Sequence, residues 1–257
     1  MKRRDLIAAS AVIAGGLFSG GVRPATPCPP PQVGVAGGGS ATTNCPTTPA
    51  GTYSTSFASS ENPLSDGGKW INGKAIGLDW NNVQSVPGRA YAAALSGVPS
   101  RYNDSIAHLN TTLPANQYAQ GTVYRAAGYN PSSSKHEVEL LLRFQISAHS
   151  ARGYEVLWGV SGYLAVVRWN GPLGDYTALY EAGDPGIGPA VDGDVLRAEV
   201  SGNVIKVYKN GSVVATVSTS SSGGMVWTDG QPGMGFWPVD GASIEKFGWK
   251  SYQAGSL

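Results

Sequence analysis

The sequence predicts an all-β fold of two stacked antiparallel sheets, a sandwich or jelly roll, on three observations. Apolar residues recur with period two over short runs, the signature of strands lying on a core. Turn dipeptides separate these runs, Asn210-Gly211 above all. The 36 glycines and 17 prolines among 257 residues interrupt the chain too often for long helices.

Residues 1–25 read as an export signal. Lys2-Arg3-Arg4 precedes a mild apolar run from Leu6 to Phe18, and small residues follow near Ala25. The run is shorter than the roughly 20 apolar residues of a membrane span, so no span is expected in the mature protein. Arg3-Arg4-Asp5-Leu6-Ile7 resembles a twin-arginine export signal, and an ordinary secretory signal is the alternative. Either implies a secreted or periplasmic location. Residues 26–52 are rich in Pro, Gly and Thr and read as a linker. Both cysteines, Cys28 and Cys45, lie there. After export they could pair and close a small loop; with no His or third Cys nearby, metal binding is not expected.

Residues 53–257 supply one core and are read as one domain. His136 to Ser147 (HEVELLLRFQIS) puts Val138, Leu140, Leu142, Phe144 and Ile146 on one side. Glu137, Glu139, Leu141, Arg143, Gln145 and Ser147 fall on the other. Further strands are read over Tyr154 to Val160, Tyr163 to Trp169, Val195 to Val200, Val204 to Lys209, Ser212 to Ser218, Met234 to Trp237 and Ser243 to Tyr252. A short helix is allowed over Ala90 to Leu95. Charged residues make up 14% of the chain and the net charge is +1, without the basic face that nucleic acid requires. There is no Gly-x-Ser-x-Gly elbow, phosphate loop, His-Glu-x-x-His pair or EF-hand pattern. The glycine-dense Gly183 to Gly188 follows no βα pattern and reads as a loop.

The segment from Asp192, DGDVLRAEVSGNVIKVYKNGSVVATV, followed by QPGMGFW, resembles the second half of the concanavalin A-like lectin/glucanase (LamG-like jelly-roll) superfamily. Phe57 to Leu64 with Trp70 and the closing Ile244 to Tyr252 resemble its first and last strands. The resemblance implies a jelly roll in which the concave face of one sheet forms a polysaccharide groove. Its members include glucanases, lyases, sugar-binding modules and adhesion domains, so the fold selects no single activity.

Glu137 and Glu139 are the carboxylates expected to face that groove, with α-carbons roughly 6.5–7 Å apart. Retaining glycosidases hold their carboxyl pair about 5–5.5 Å apart. Laminarinase-type glucanases carry Glu, Asp and Glu on one strand face. Glu137 matches the first place, Glu139 stands where Asp is expected, and the last Glu falls at Leu141 or Leu142, so the general acid has no counterpart. The alternative is a solvated charge ladder of Glu137, Glu139 and Arg143. Arg143, Gln145, Tyr154, Trp158, Tyr163 and Trp169 are the expected sugar contacts, with rings to stack on sugars and polar groups to match hydroxyls. A lyase would use Arg143 and Gln145 with a base among His108, His136, Tyr154 and Tyr163; the alginate-lyase elements Arg-x-Glu-x-Arg and Gln-Ile-His are absent. The resemblance also implies one structural calcium where the terminal strands meet, with Glu61 and Asp240 placed to hold it; Asp66, Asp184, Asp192 and Asp194 are expected to cap turns. The expected function is binding of an extracellular polysaccharide or cell-surface glycan, with a glycan-cleaving enzyme or a purely adhesive domain as alternatives.

Overall fold

The computed structural model describes residues 51–93, 104–130, 136–184, 186–238 and 244–257. The export signal, most of the linker, Cys28, Cys45 and Asp240 lie outside the described residues. The strands are β1 (Tyr53–Thr55), β2 (Trp70–Asn72), β3 (Val83–Val86), β4 (Arg89–Ala92) and β5 (Ser105–Leu109). They continue as β6 (Gln117–Arg125), β7 (Glu137–Ser147), β8 (Ser150–Gly159), β9 (Leu164–Gly171) and β10 (Tyr176–Ala182). The last five are β11 (Val195–Ser201), β12 (Val204–Lys209), β13 (Ser212–Ser218), β14 (Gln231–Trp237) and β15 (Phe247–Ser256). They form two antiparallel sheets. One has the order β13-β12-β11-β6-β15-β4-β3, with β1 added to β15; the other has the order β10-β9-β8-β7-β14-β5-β2. This is a jelly-roll sandwich.

Alternation builds the core between the sheets. Val138, Leu140, Leu142, Val156 and Leu164 come from one layer, and Val123, Leu196, Val200, Ile205 and Trp249 from the other. The β12–β13 hairpin turns on Asn210 (φ 50°) and Gly211 (φ 80°), the paired positive dihedrals of a type I′ turn. Asn210 Oδ1 also accepts the Val195 N–H at 2.8 Å, fixing the hairpin to β11. On β6 two of the inward residues, Ala119 and Gly121, are small, and the Trp249 ring occupies the space a side chain at Gly121 would need.

The alternation of β7 breaks at Arg143. Its φ is 47°, and the pairing with β8 slips between Leu142 and Gln145. This is a β-bulge, in which one extra residue reverses the faces beyond it. Two glycines lie against it: a Cβ on Gly153 would sit 2.6 Å from the Arg143 carbonyl oxygen, and one on Gly230 would collide with the same carbonyl. Val138, Leu140 and Leu142 therefore face the core as expected, whereas Phe144 and Ile146 join Leu141 on the opposite face. The sequence-based placement of Phe144 and Ile146 in the core is corrected accordingly. So is the short helix: Ala90 to Ala92 belong to strand β4.

A second apolar layer covers the outer face of the seven-stranded sheet. It joins Leu141, Phe144, Leu157, Val167 and Trp169 to Leu78 and Trp80 from the segment between β2 and β3. That segment, residues 73–82, crosses the sheet as a strap. His149 N–H, in the β7–β8 turn, donates to the Gly77 carbonyl at 3.0 Å, and Trp80 meets Trp169 edge-on at 4.5 Å. No helix among the described residues is long and apolar enough to cross a membrane.

Candidate functional site

Strand register arranges the strapped face into rows. Trp237, Glu137 and Gly159 form one row, and Gly235, Glu139 and Leu157 the next. Gly233, Leu141 and Glu155 form a third. Period two thus carries both glutamates away from the core. Glycine makes room for them: a Cβ on Gly235 would collide with Glu139 Oε2, and one on Gly159 with the Tyr163 ring. Asp104, immediately before β5, completes a cluster in which one oxygen each of Asp104, Glu137 and Glu139 lies within 4.8 Å of the others. Among the described residues this is the one group of acids whose oxygens could together hold a hard cation.

The cluster is not open to solvent. Asp104 is 2% exposed, Glu137 2% and Glu139 0%. The other side chains that β7, β8 and β9 direct to this face from Glu137 to Phe144, including Leu157, Val167 and Trp169, are also buried. The expected open trough is therefore filled by the protein's own side chains, and a solvated charge ladder is excluded as well.

Two further ionisable residues lie on this face: Glu155, which the sequence reading missed, and His108, which it offered only as a lyase base. Glu155 is fully buried beside Leu141, diagonal to Glu139 and roughly 7–8 Å from it between α-carbons. Its Oε2 accepts the Trp169 indole N–H at 2.6 Å. The alternation of Tyr154-Glu155-Val156-Leu157-Trp158 was the signal that could have found it. His108, on β5 opposite Gly233, has its Nδ1 2.9 Å from the Leu109 carbonyl. A carbonyl only accepts, so the neutral ring carries its proton on Nδ1 and leaves Nε2 as an acceptor. Burial lowers the pKa of His108 from 6.5, partly opposed by that backbone bond.

The expected sugar contacts separate into two groups. Trp169 and Tyr163 lie on the strapped face, and Gln145 lies beyond the bulge, where its Oε1 accepts from the Arg152 guanidinium at 2.8 Å. Tyr154 and Trp158 are in the core between the sheets, because they share the parity of Val156. The Tyr154 hydroxyl accepts the Trp227 N–H at 2.8 Å, and Trp158 Nε1 donates to the Gly188 carbonyl at 3.2 Å. Arg143 is also removed from the face. The bulge turns it between the sheets, where Nε donates to Ala115 O (2.8 Å), Nη1 to Trp227 O (2.9 Å) and Nη2 to Gly202 O (2.9 Å). These three cannot line a groove on the strapped face. Of the remaining lyase candidates, His136 is buried with its Nδ1 2.7 Å from the Tyr129 hydroxyl.

Glu61 caps a turn. Its Oε2 accepts the backbone N–H groups of Ser65 at 2.5 Å and Asp66 at 2.7 Å, so only its other oxygen is left to a cation. Asp192 and Asp194 likewise serve loops: Asp192 Oδ1 accepts the Arg125 N–H at 3.0 Å, and Asp194 Oδ2 accepts the Val191 N–H at 3.1 Å.

No protein-family description matches the chain, and no curated protein does. Solved structures do. The chain is similar to β-agarase A in complex with oligoagarose, at a TM-score of 0.51 and 12% identity, over 78% of this chain and 89% of that one. A Bacillus licheniformis β-glucanase gives a TM-score of 0.48 at 11% identity over 82% and 100%. A carbohydrate-binding module from Bacillus subtilis gives 0.48 at 12% over 75% and 96%. At these identities the likeness is one of fold, carried by the first of the three: the two-sheet jelly roll.

Proposed function

We propose that this chain is an exported polysaccharide-binding domain that holds glycan without cleaving it. The observation that carries the second half is the burial of the candidate carboxylates. Glu137 and Glu139 are 2% and 0% exposed beneath a face packed with the protein's own side chains. A glycosidase needs a groove in which acid and nucleophile flank a sugar ring. Support for the first half is the jelly-roll likeness to a protein crystallised with an oligosaccharide. The test is retention of the purified protein in gels containing neutral glucans, agarose or uronans, with reducing-sugar release followed on the same panel. Retention without release supports the reading; absence of retention on every glycan overturns it.

One observation favours a second reading, glycan cleavage. The acid oxygens lie within 4.8 Å of one another, close to the separation of a retaining pair. Cleavage would require the 73–82 strap to lift from the face. Sugar release that disappears in Glu137→Gln and in Glu139→Gln would establish it in place of the first.

A further inference from the structure

We propose that the outer face of the eight-stranded sheet carries a carboxylate-binding site centred on Arg89, which selects acidic, uronate-bearing polysaccharide. This rests on the polysaccharide-binding reading and adds the class of glycan and its place. The site is built from three adjacent strands. Tyr91 of β4, Gly248 of β15 and Tyr124 of β6 form one row across the sheet, since Gly248 pairs with Tyr124 and Trp249 with Ala90. Gly248 contributes no side chain, and the place of its missing Cβ is taken by the Ala90 carbonyl and the Tyr91 Cβ. Arg89, two residues before Tyr91 and on the same side of β4, lays its guanidinium over both rings, 4.8 Å from the Tyr124 centroid and 5.7 Å from that of Tyr91.

What distinguishes Arg89 is what it does not bond. Each of the other described arginines donates to an acceptor. Arg125 reaches Ala190 O, Arg143 reaches Trp227 O, Arg152 reaches Gln145, Arg168 reaches Gly223 O, and Arg197 reaches Glu199. Among the described residues, the Arg89 guanidinium makes no hydrogen bond or ion pair, and its Nε is buried without a partner. The nearby acid Asp192 is committed to Lys250 Nζ at 2.6 Å and to the Arg125 N–H. Glu245, in the short 3-10 turn beside β4, forms no ion pair with it.

Stacking on aromatic faces occupies the plane of a guanidinium and leaves its in-plane N–H donors free. A planar carboxylate meets such a fork bidentately, and the charge-assisted bonds are the strong kind. The Tyr91 and Tyr124 hydroxyls, which make no hydrogen bond among the described residues, flank the fork and can serve the ring hydroxyls of the same sugar. An uncompensated cation beside two phenols therefore suits a uronate better than a neutral sugar.

The experiment measures retention in gels containing polygalacturonate, a neutral β-glucan or dextran sulfate, at low and physiological salt. Wild-type protein is expected to bind polygalacturonate in preference to both others. Arg89→Gln should weaken that binding about 10- to 100-fold, the equivalent of one lost charge-assisted contact. Arg89→Lys, which keeps the charge but loses the fork, should fall between. Because Arg89 makes no internal hydrogen bond, the melting temperature of these variants should stay close to wild type, so lost retention reports binding. Equal binding of Arg89→Gln and wild type overturns the proposal, as does equal retention on dextran sulfate, which indicates unspecific attraction of anions. Binding of the neutral glucan alone overturns the site while leaving the polysaccharide-binding reading standing; retention on no gel removes both.

Discussion

Replacing Arg143 by Met separates a structural role for this residue from a sugar-contacting one. The variant keeps the aliphatic stem and removes three hydrogen bonds, to Ala115, Gly202 and Trp227 carbonyls. Their contributions differ. Trp227 is 8% exposed and its carbonyl would keep only the long bond from the Tyr154 hydroxyl at 3.4 Å, a cost of about 1–3 kcal/mol. Ala115 and Gly202 are exposed and can take water instead, which limits each loss to roughly 0.5–1.5 kcal/mol. Burial also lowers the guanidinium pKa, a sign that the charge itself is held at a desolvation cost the variant no longer carries. The balance is a loss of about 2–4 kcal/mol, or roughly 4–16 °C in Tm for a domain of this size. Urea and thermal unfolding followed by tryptophan fluorescence measure it. Arg143→Lys, able to reach one carbonyl, should recover less than half. A loss below about 1 kcal/mol, inside the range of ordinary surface changes, would refute the reasoning. So would intact stability combined with lost glycan retention, which would return Arg143 to a binding surface.

Two further outcomes follow from the strapped face. Gly235→Ala should destabilise by about 1–3 kcal/mol through collision with Glu139, and most of that cost should vanish in a Glu139→Ala background; additive losses in the double variant would contradict the packing described. His108, whose folded pKa lies below 6.5, binds a proton in the unfolded chain before it does in the folded one. Its contribution to stability is therefore intact above about pH 6.5 and erodes as the pH falls from there toward the lower folded value. Urea midpoints at pH 7.5 and 5.5 should drop less in His108→Gln than in wild type, and an equal drop would remove His108 as the cause.

From His136 onward most strands were legible because large apolar residues alternate with polar ones. Strand β10 was not, since nearly all its residues are half-buried and neither side stands out. Nor was strand β6, since two of its inward positions are only Ala119 and Gly121, and the bulk over Gly121 belongs to Trp249, over a hundred residues away. Strand β5 hid for another reason: all five of its residues are buried, so no polar face marks it. The outward placement of Glu137 and Glu139 follows from parity, as does the core placement of Tyr154 and Trp158, had that strand been read for sides rather than for rings. The bulge left no mark in HEVELLLRFQIS, which contains no glycine, proline or asparagine. The partners that make room for it are Gly153 and Gly230, and only the folded chain brings them together. Asp104 joins the glutamates in the same way, from the residue before a strand that the alternation did not reveal.

The guanidinium of Arg143 has a consequence for how this architecture can vary. Three connections far apart along the chain, before β6, between β11 and β12, and before β14, end on a single cation. An insertion that displaces any one of them strips a donor from its carbonyl and loosens the grip on the other two. Loop length at this end of the sandwich is thereby coupled across more than a hundred residues, and variation should collect at the opposite end.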